Sequence, residues 1–161
     1  MSISAEDTTN RHSLESLLSF TVYSANLALG KAYRPILNKL QLTYTQYVTI
    51  IALWEAGEQT VGSLGEKLYL ESNTLTPILK KLEAMGYVER KRDTQDERQV
   101  NVVLTHRGRR LYESASSIDI VEHCGLSKGD FLELQRSVVM LRQKLLKIAD
   151  KSDDQIVPTR G

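Results

Sequence analysis

The chain has 161 residues, 41% hydrophobic and 25% charged, with a formal net charge of +1. That is the balance of one ordinary globular domain long enough to bury a core. No apolar run approaches the ~20 residues that span a bilayer, and the polar opening MSISAEDTTNRHS lacks the apolar stretch of a signal peptide, so a cytoplasmic protein with no membrane partner is expected. The one cysteine, Cys124, rules out an intrachain disulfide and suits a reducing compartment, although two copies could still pair through it.

In chain order, residues 14 to about 40 read as a helix that is apolar on more than one face, through Leu17, Leu18, Val22, Ala25, Leu27, Leu29 and Ala32. Such a helix needs neighbours, and a chain this short can find them in a second copy. Pro35 is expected to kink or break it. A second helix over 43–56 places Tyr47, Ile50, Ile51 and Trp54 at i, i+3, i+4 and i+7, and Gly57 ends it. Residues 60–68 form a short helix and 69–71 a turn into a further helix from 72, the spacing of a helix-turn-helix.

On that further helix Leu75, Leu79 and Leu82 share one face, while Asn73, Thr76, Pro77 and Lys80 fall on others. Ser72 or Thr74 is expected to cap it, and Pro77 removes at most one ladder bond. Gly86 supplies a positive φ after the last turn. Residues 87–91 and 99–104 then read as two strands around the polar run 93–97, making a hairpin. Thr105 caps a helix to about 116. Ser127 caps the last one, with Phe131, Leu134, Val138, Leu141 and Leu145 on one stripe, and 151–161 is a polar flexible tail. The fold class is therefore mainly α with a small β-hairpin wing, a winged helix-turn-helix.

The charge is unevenly placed. Residues 1–60 carry 4 basic and 5 acidic side chains, residues 61–110 carry 10 and 7, and residues 111–161 carry 7 and 8. The positive excess coincides with the helix-turn-helix and hairpin, as a basic footprint for nucleic acid requires. Arg90, Lys91, Arg92 and Arg98 lie on the hairpin, and an arginine there can enter a minor groove, where the negative potential is greatest. A lone basic helix would more simply be a solvated face; the flanking helix, hairpin and charge distribution favour DNA recognition. Asp96 and Arg98 could equally form a surface ion pair of little energetic value. His12, His106 and His123 are too scattered for a metal site, no glycine-rich phosphate loop exists, and no cofactor is expected. His123 beside Cys124 invites a thiol-enzyme reading, but no orienting third group is identifiable.

The order of long helix, helix, helix-turn-helix, wing and two C-terminal helices, with DERQV in the wing, resembles the MarR family of dimeric winged-helix regulators over roughly residues 13–148. Within it, TLTPILKKLE at 74–83 and YSANLALGKAYRPILNKLQLTYTQY at 23–47 are similar to the organic hydroperoxide resistance regulators. The resemblance implies a sensor cysteine four residues before the first of three spaced tyrosines, here Tyr23, Tyr33 and Tyr44. That position is Ser19. A serine hydroxyl neither ionises near neutrality nor has sulfur's oxidation ladder, so this chain is expected to be blind to peroxide.

The resemblance also implies that Cys124 matches a resolving thiol, against the plain reading of a buried inert one. An orphaned resolver favours an engineered Cys-to-Ser change that locks the reduced, DNA-binding state over a naturally insensitive regulator. In the parent protein, oxidation would tie the first helix to the partner's C-terminal region and tilt the DNA-binding lobes. Tyr47, Tyr69, Tyr87 and Tyr112 are read as ordinary packing aromatics.

The reading is therefore a homodimeric repressor that uses Ser72, Asn73, Thr74, Thr76, Pro77, Lys80, Arg90, Asp96 and Arg98 on a pseudo-palindromic double-stranded operator. Residues 72–80 would lie in the major groove and Arg98 in the minor groove, Asp96 would orient Arg98, and the half-sites would be roughly 34 Å apart. Residues 10–40 and 105–148 would dimerise, residues 43–104 would form the DNA-binding lobe, and an organic hydroperoxide would be the inducer of the parent protein. The alternatives are a MarR-type repressor released by a phenolic or apolar ligand, a helical protein-interaction module, and a thiol enzyme using Cys124.

Overall fold

A computed structural model describes residues 13–94, 96, 98–115 and 124–154. Outside these lie His12 and His123, residues 10–12 and 116–123 of the expected dimerisation helices, Gln95 and Glu97 of the expected wing tip, and 155–161 of the expected tail. The chain divides into two compact units, residues 1–118 and 119–161.

After a single 3-10 turn at Leu14–Ser16, α1 runs over Leu18–Leu40 and passes through Pro35 without ending. The expected break does not occur, because a proline inside a helix removes only its own N–H bond and a long helix retains the rest of its ladder. The helix stops at Gln41, whose φ of 54° is left-handed, and Leu42 folds back to bond the Leu37 carbonyl at 3.0 Å. Both leucines are buried.

The next helix, α2 at Tyr44–Ala56, begins in a reciprocal cap: Thr43 Oγ1 accepts from the Gln46 N–H, and Gln46 Oε1 accepts from the Thr43 N–H. Gly57, at φ 73°, closes it as expected. The buried face is not the expected one. It comprises Gln46, Thr49, Ile50, Ala52 and Leu53, while Trp54 is exposed at one edge and stacks on Tyr112 with centroids 4.4 Å apart. Thr49 tolerates complete burial because its hydroxyl donates to the Thr45 carbonyl at 2.7 Å.

A two-residue strand, β1 (Gln59–Thr60), precedes α3 (Val61–Leu68), where the sequence suggests only helix. Thr60 both pairs in the sheet and caps α3 by accepting from the Ser63 N–H at 3.1 Å. The turn that follows is tight. Tyr69 takes φ 56°, the Leu70 N–H reaches the Gly65 carbonyl at 2.9 Å, and a Cβ on Gly65 would stand 2.7 Å from the Leu70 oxygen.

Helix α4 covers Ser72–Ala84 with Leu75, Leu79 and Leu82 buried, as their spacing predicts. Neither Ser72 nor Thr74 caps it; the N-cap is Glu71, which makes no side-chain cap bond. The helix continues through Pro77. Past Gly86, at φ 76°, β2 (Val88–Arg92) pairs antiparallel with β3 (Val100–Leu104), with Val88 opposite Leu104 and Arg92 opposite Val100. The sheet order is β1-β3-β2. Leu53, Leu64, Leu75, Leu79, Leu82, Val88 and Val102 are almost completely buried and form the centre of one core that locks α4 to the sheet.

Helix α5 (His106–Ala115) leaves β3 through Thr105. The Thr105 hydroxyl donates to the Gly86 carbonyl at 2.7 Å and accepts from the Gly108 N–H at 3.1 Å, so one side chain ties the end of α4 to the start of α5. In the second unit α6 spans Lys128–Asp154, past Lys151 where the flexible tail was expected to begin. Ser127 caps it, accepting from the Asp130 N–H at 3.2 Å. Of the expected stripe on α6, Leu134, Val138 and Leu145 are exposed in this single chain, and so are Leu18, Leu27 and Leu29 on α1. Among the described residues, no helix is long and apolar enough to cross a membrane.

Candidate nucleic-acid interface

The residues expected to meet DNA sit on α4 and on the hairpin formed by β2, β3 and the turn between them. With Leu75, Leu79 and Leu82 facing inward, α4 turns Ser72, Asn73, Thr74, Pro77 and Lys80 to solvent and leaves Thr76 half-buried. The Thr76 hydroxyl donates to the Ser72 carbonyl at 2.7 Å, and Thr74 Oγ1 donates to Asn73 Oδ1 at 3.3 Å. Both bonds are local and solvent-accessible, so either hydroxyl can be redirected to a ligand at small cost.

Between this helix and the wing lies an open groove of about 460 Å³. It is lined by Ser72, Thr76 and Leu79 from α4, by Thr60, Val61 and Gly62 around the start of α3, and by Arg90, Arg98, Gln99 and Val100 from the hairpin. The fold therefore gathers at one opening two of the expected wing arginines and two of the expected helix residues. Gln99, Thr60 and Gly62 were missed. Their only signal is spatial, since sheet pairing brings β1 and the start of α3 beside the wing.

The wing basic residues divide into two kinds. Arg90 is held by Glu83 of α4: its Nε donates to Oε2 at 2.9 Å, its Nη2 donates to the same oxygen, and its main-chain N–H reaches Oε1 at 3.3 Å. This hydrogen bonding holds the Glu83 carboxyl below the usual carboxylate range, outweighing the opposing effect of its partial burial. The clamp is thus complete at neutral pH and weakens only as pH falls through that lowered value. Lys91 pairs with Glu89 at 3.2 Å with both side chains mostly exposed, a contact of little energetic value. Arg92, Arg98, Lys80 and Lys81 are exposed and make no ion pair among the described residues.

Asp96 does not orient the Arg98 guanidinium as expected. Its Oδ1 accepts from the Arg98 main-chain N–H at 3.0 Å, and its Oδ2 from Gln99 Nε2 at 3.2 Å. Asp93 adds bonds to the Asp96 N–H and to Asn101 Nδ2, both at 3.0 Å. The carboxylates shape the backbone of the turn, and the arginine side chain is left to reach outward.

The expected sensor residues separate into two places. Tyr33 and Tyr44 meet edge to face with centroids 5.2 Å apart, and Tyr47 lies 6.4 Å from Tyr33. Burial, followed by the neighbouring phenols Tyr112 and Tyr44, holds the Tyr47 hydroxyl above the usual tyrosine range, so it stays protonated. Tyr33 and Tyr44 also line a cavity of about 400 Å³ with Asn26, Leu27, Leu29, Gly30, Lys31 and Arg34. Tyr23 instead pairs with Phe20, at 6.4 Å, and is exposed, as is Ser19. Tyr33 lies fourteen positions after Ser19 on the same helix, roughly 21 Å along α1. One chain does not bring the two together. Cys124, in the other unit, is exposed rather than buried.

Comparison with known proteins finds that residues 31–115 match the family described as transcriptional regulator SarA/Rot. The chain is 46% identical over 105 residues to the organic hydroperoxide resistance transcriptional regulator of Bacillus subtilis, covering 65% of this chain and 71% of that protein. It is 52% identical over 99 residues to the HTH-type transcriptional regulator TtmR of Methylorubrum extorquens, covering 62% of this chain but only 51% of that protein, about half of its length. In three dimensions it is similar to reduced AbfR bound to DNA, with a TM-score of 0.75 and 32% identity over 90% of this chain and 98% of that one.

Proposed function

The chain belongs to the SarA/Rot family of winged-helix transcriptional regulators, and on that footing we propose that it is a homodimeric repressor that binds a pseudo-palindromic operator. The observation that carries this reading is the groove joining the exposed face of α4 to a wing whose Arg98 is uncommitted. Ser72, Asn73, Thr74, Thr76, Pro77 and Lys80 present hydroxyl, amide and ammonium groups suited to base edges and phosphates. Arg98 extends from the wing at a position suited to a flanking minor groove. A pseudo-palindromic operator asks for two recognition helices roughly 34 Å apart, one helical turn of DNA, and the exposed apolar residues of α1 and of α6 are each suited to joining a second copy. A relative solved on DNA in its reduced form supports the same mode.

The expected test is Arg98→Ala, which loses on the order of 1–3 kcal/mol of operator binding, with sequence preference at the flanking bases relaxed and dimerisation intact. Asp96→Ala loses less, because it loosens the turn without removing the cation. Electrophoretic mobility shift on an operator selected from random duplexes reads both. Parent-like binding by Arg98→Ala would show that the wing is assigned incorrectly.

The B. subtilis relative supports a link to organic hydroperoxide resistance; the finer reading, which rests on the sequence resemblance, has Ser19 at the sensor position and Cys124 as the resolving thiol of the partner. In this reading the chain is the reduced-like form, held on DNA. Organic hydroperoxide is expected to leave it bound, whereas Ser19→Cys should release DNA and form a reducible intersubunit disulfide with Cys124. An introduced thiolate attacks the peroxide oxygen, expels an alkoxide, and leaves a sulfenic acid that Cys124 condenses with, releasing water. Non-reducing electrophoresis beside the binding assay decides it. The cavity beside Tyr33 and Tyr44 favours one second reading, release by a phenolic or apolar ligand. That reading prevails if Ser19→Cys stays monomeric on the gel and stays on the operator under peroxide.

A further inference from the structure

We propose that Glu83 is a specificity-determining residue: by neutralising Arg90 inside the groove, it keeps that arginine from serving as a sequence-blind phosphate contact. The inference rests on the DNA-binding reading above and goes beyond it. Arg90 and Arg98 line the same groove, yet their charges are differently disposed. Arg98 makes no ion pair among the described residues, while Arg90 gives Glu83 three donors, two from the guanidinium and one from the main chain. The pair is partly shielded, with side chains 24% and 36% exposed, so solvent and salt do not dissolve it as they would a surface pair.

A phosphate that approaches Arg90 also approaches the Glu83 carboxylate. The pair's net charge is zero, so it releases almost no counterion, and counterion release supplies most of the affinity for non-specific DNA. Binding then depends on the open cations and on the polar groups of α4, which carry the sequence information. The same pair bridges α4 and β2, setting wing and recognition helix as one unit, but holding them together does not require charge. The oxygen of an uncharged amide could still accept the two guanidinium hydrogen bonds, giving up only the longer one from the Arg90 main chain.

The test compares the full-length parent, Glu83→Gln, and the double variant Glu83→Gln/Arg90→Gln on a random-sequence duplex, by fluorescence anisotropy from low to moderate salt. Glu83→Gln should bind the random duplex several-fold more tightly at low salt. Its log-log salt slope should steepen by about one per subunit, roughly two per dimer, as an unbalanced cation joins each groove. The double variant should return to the parent slope. A slope for folded Glu83→Gln equal to or shallower than the parent overturns the proposal and reduces Glu83 to a structural clamp. Should Glu83→Gln fail to fold, the double variant still decides. A slope matching the parent shows that the pair is electrically silent, and a shallower one shows that Arg90 already meets phosphate and overturns the proposal. Absence of salt-dependent binding by the parent itself defeats the DNA-binding reading and this inference with it.

Discussion

Raising salt from 50 to 200 mM should weaken operator binding by this chain roughly 10³- to 10⁵-fold, a log-log slope of about −5 to −9. Lys80, Lys81, Arg92 and Arg98 are exposed and without an ion-pair partner among the described residues, and a dimer would present each of them twice. Each phosphate they neutralise frees condensed counterion, and the entropy of that release fades as bulk salt rises. Lys67 and Lys91 pair with Glu55 and Glu89 and should add little. Anisotropy titrations at several salt concentrations measure the slope directly. A value shallower than about −2 is incompatible with this footprint and would move the DNA-binding surface elsewhere.

The second large effect is on folding. Gly108→Ala should lower the stability of the first compact unit by roughly 2–4 kcal/mol, combining an overpacking clash with damage to a buried hydrogen-bonded knot. A Cβ there would stand 2.1 Å from the Tyr87 carbonyl oxygen and 3.1 Å from its carbon, backbone atoms that cannot swing aside, and 3.1 Å from Cδ2 of the buried Leu104. The same N–H donates to the Thr105 hydroxyl, which in turn bonds the Gly86 carbonyl, so a shift of α5 disturbs the exit from α4. Alanine is normally the better helix former by about 1 kcal/mol, which makes the expected sign informative. Gly30→Ala is the control, since nothing lies within 4 Å of its new methyl group, and it should be neutral or stabilising. Thermal unfolding followed by circular dichroism compares the two. Melting of Gly108→Ala within about 2 °C of the parent would refute the packing account.

Much of this architecture is legible in the residues, and the misreadings have local causes. Helix α4 was readable because its three core leucines, Leu75, Leu79 and Leu82, are all buried and no polar residue competes for that face. The α2 face was misjudged because Gln46 and Thr49, polar in the sequence, satisfy their groups within their own helix and so can be buried, displacing the apolar stripe by about one position. Strand β1 is two residues long and has no periodicity to detect; it exists only because β3 is there to pair with it.

The candidate site was legible in its residue types and not in their partners. Arg90 reads as one more wing cation until Glu83, seven residues away, is found to hold it. Similarly, Tyr23, Tyr33 and Tyr44 look like one set in the sequence, while the rise of α1 separates the first from the other two. Gly108 carries no local signal, because what it accommodates is a carbonyl 21 positions earlier, at Tyr87.

The stack of Trp54 on Tyr112 has an optical consequence. The chain has a single tryptophan, so all of its indole emission arises where α2 meets α5, and rings 4.4 Å apart and tilted by only 22° leave that emission sensitive to small separations. Any event that slides α5 against α2 should change the intensity and colour of this light, with no attached dye. Events confined to the wing tip should leave it dark to the spectrometer. The protein thus carries a native fluorophore that distinguishes motion between α2 and α5 from motion at the hairpin tip.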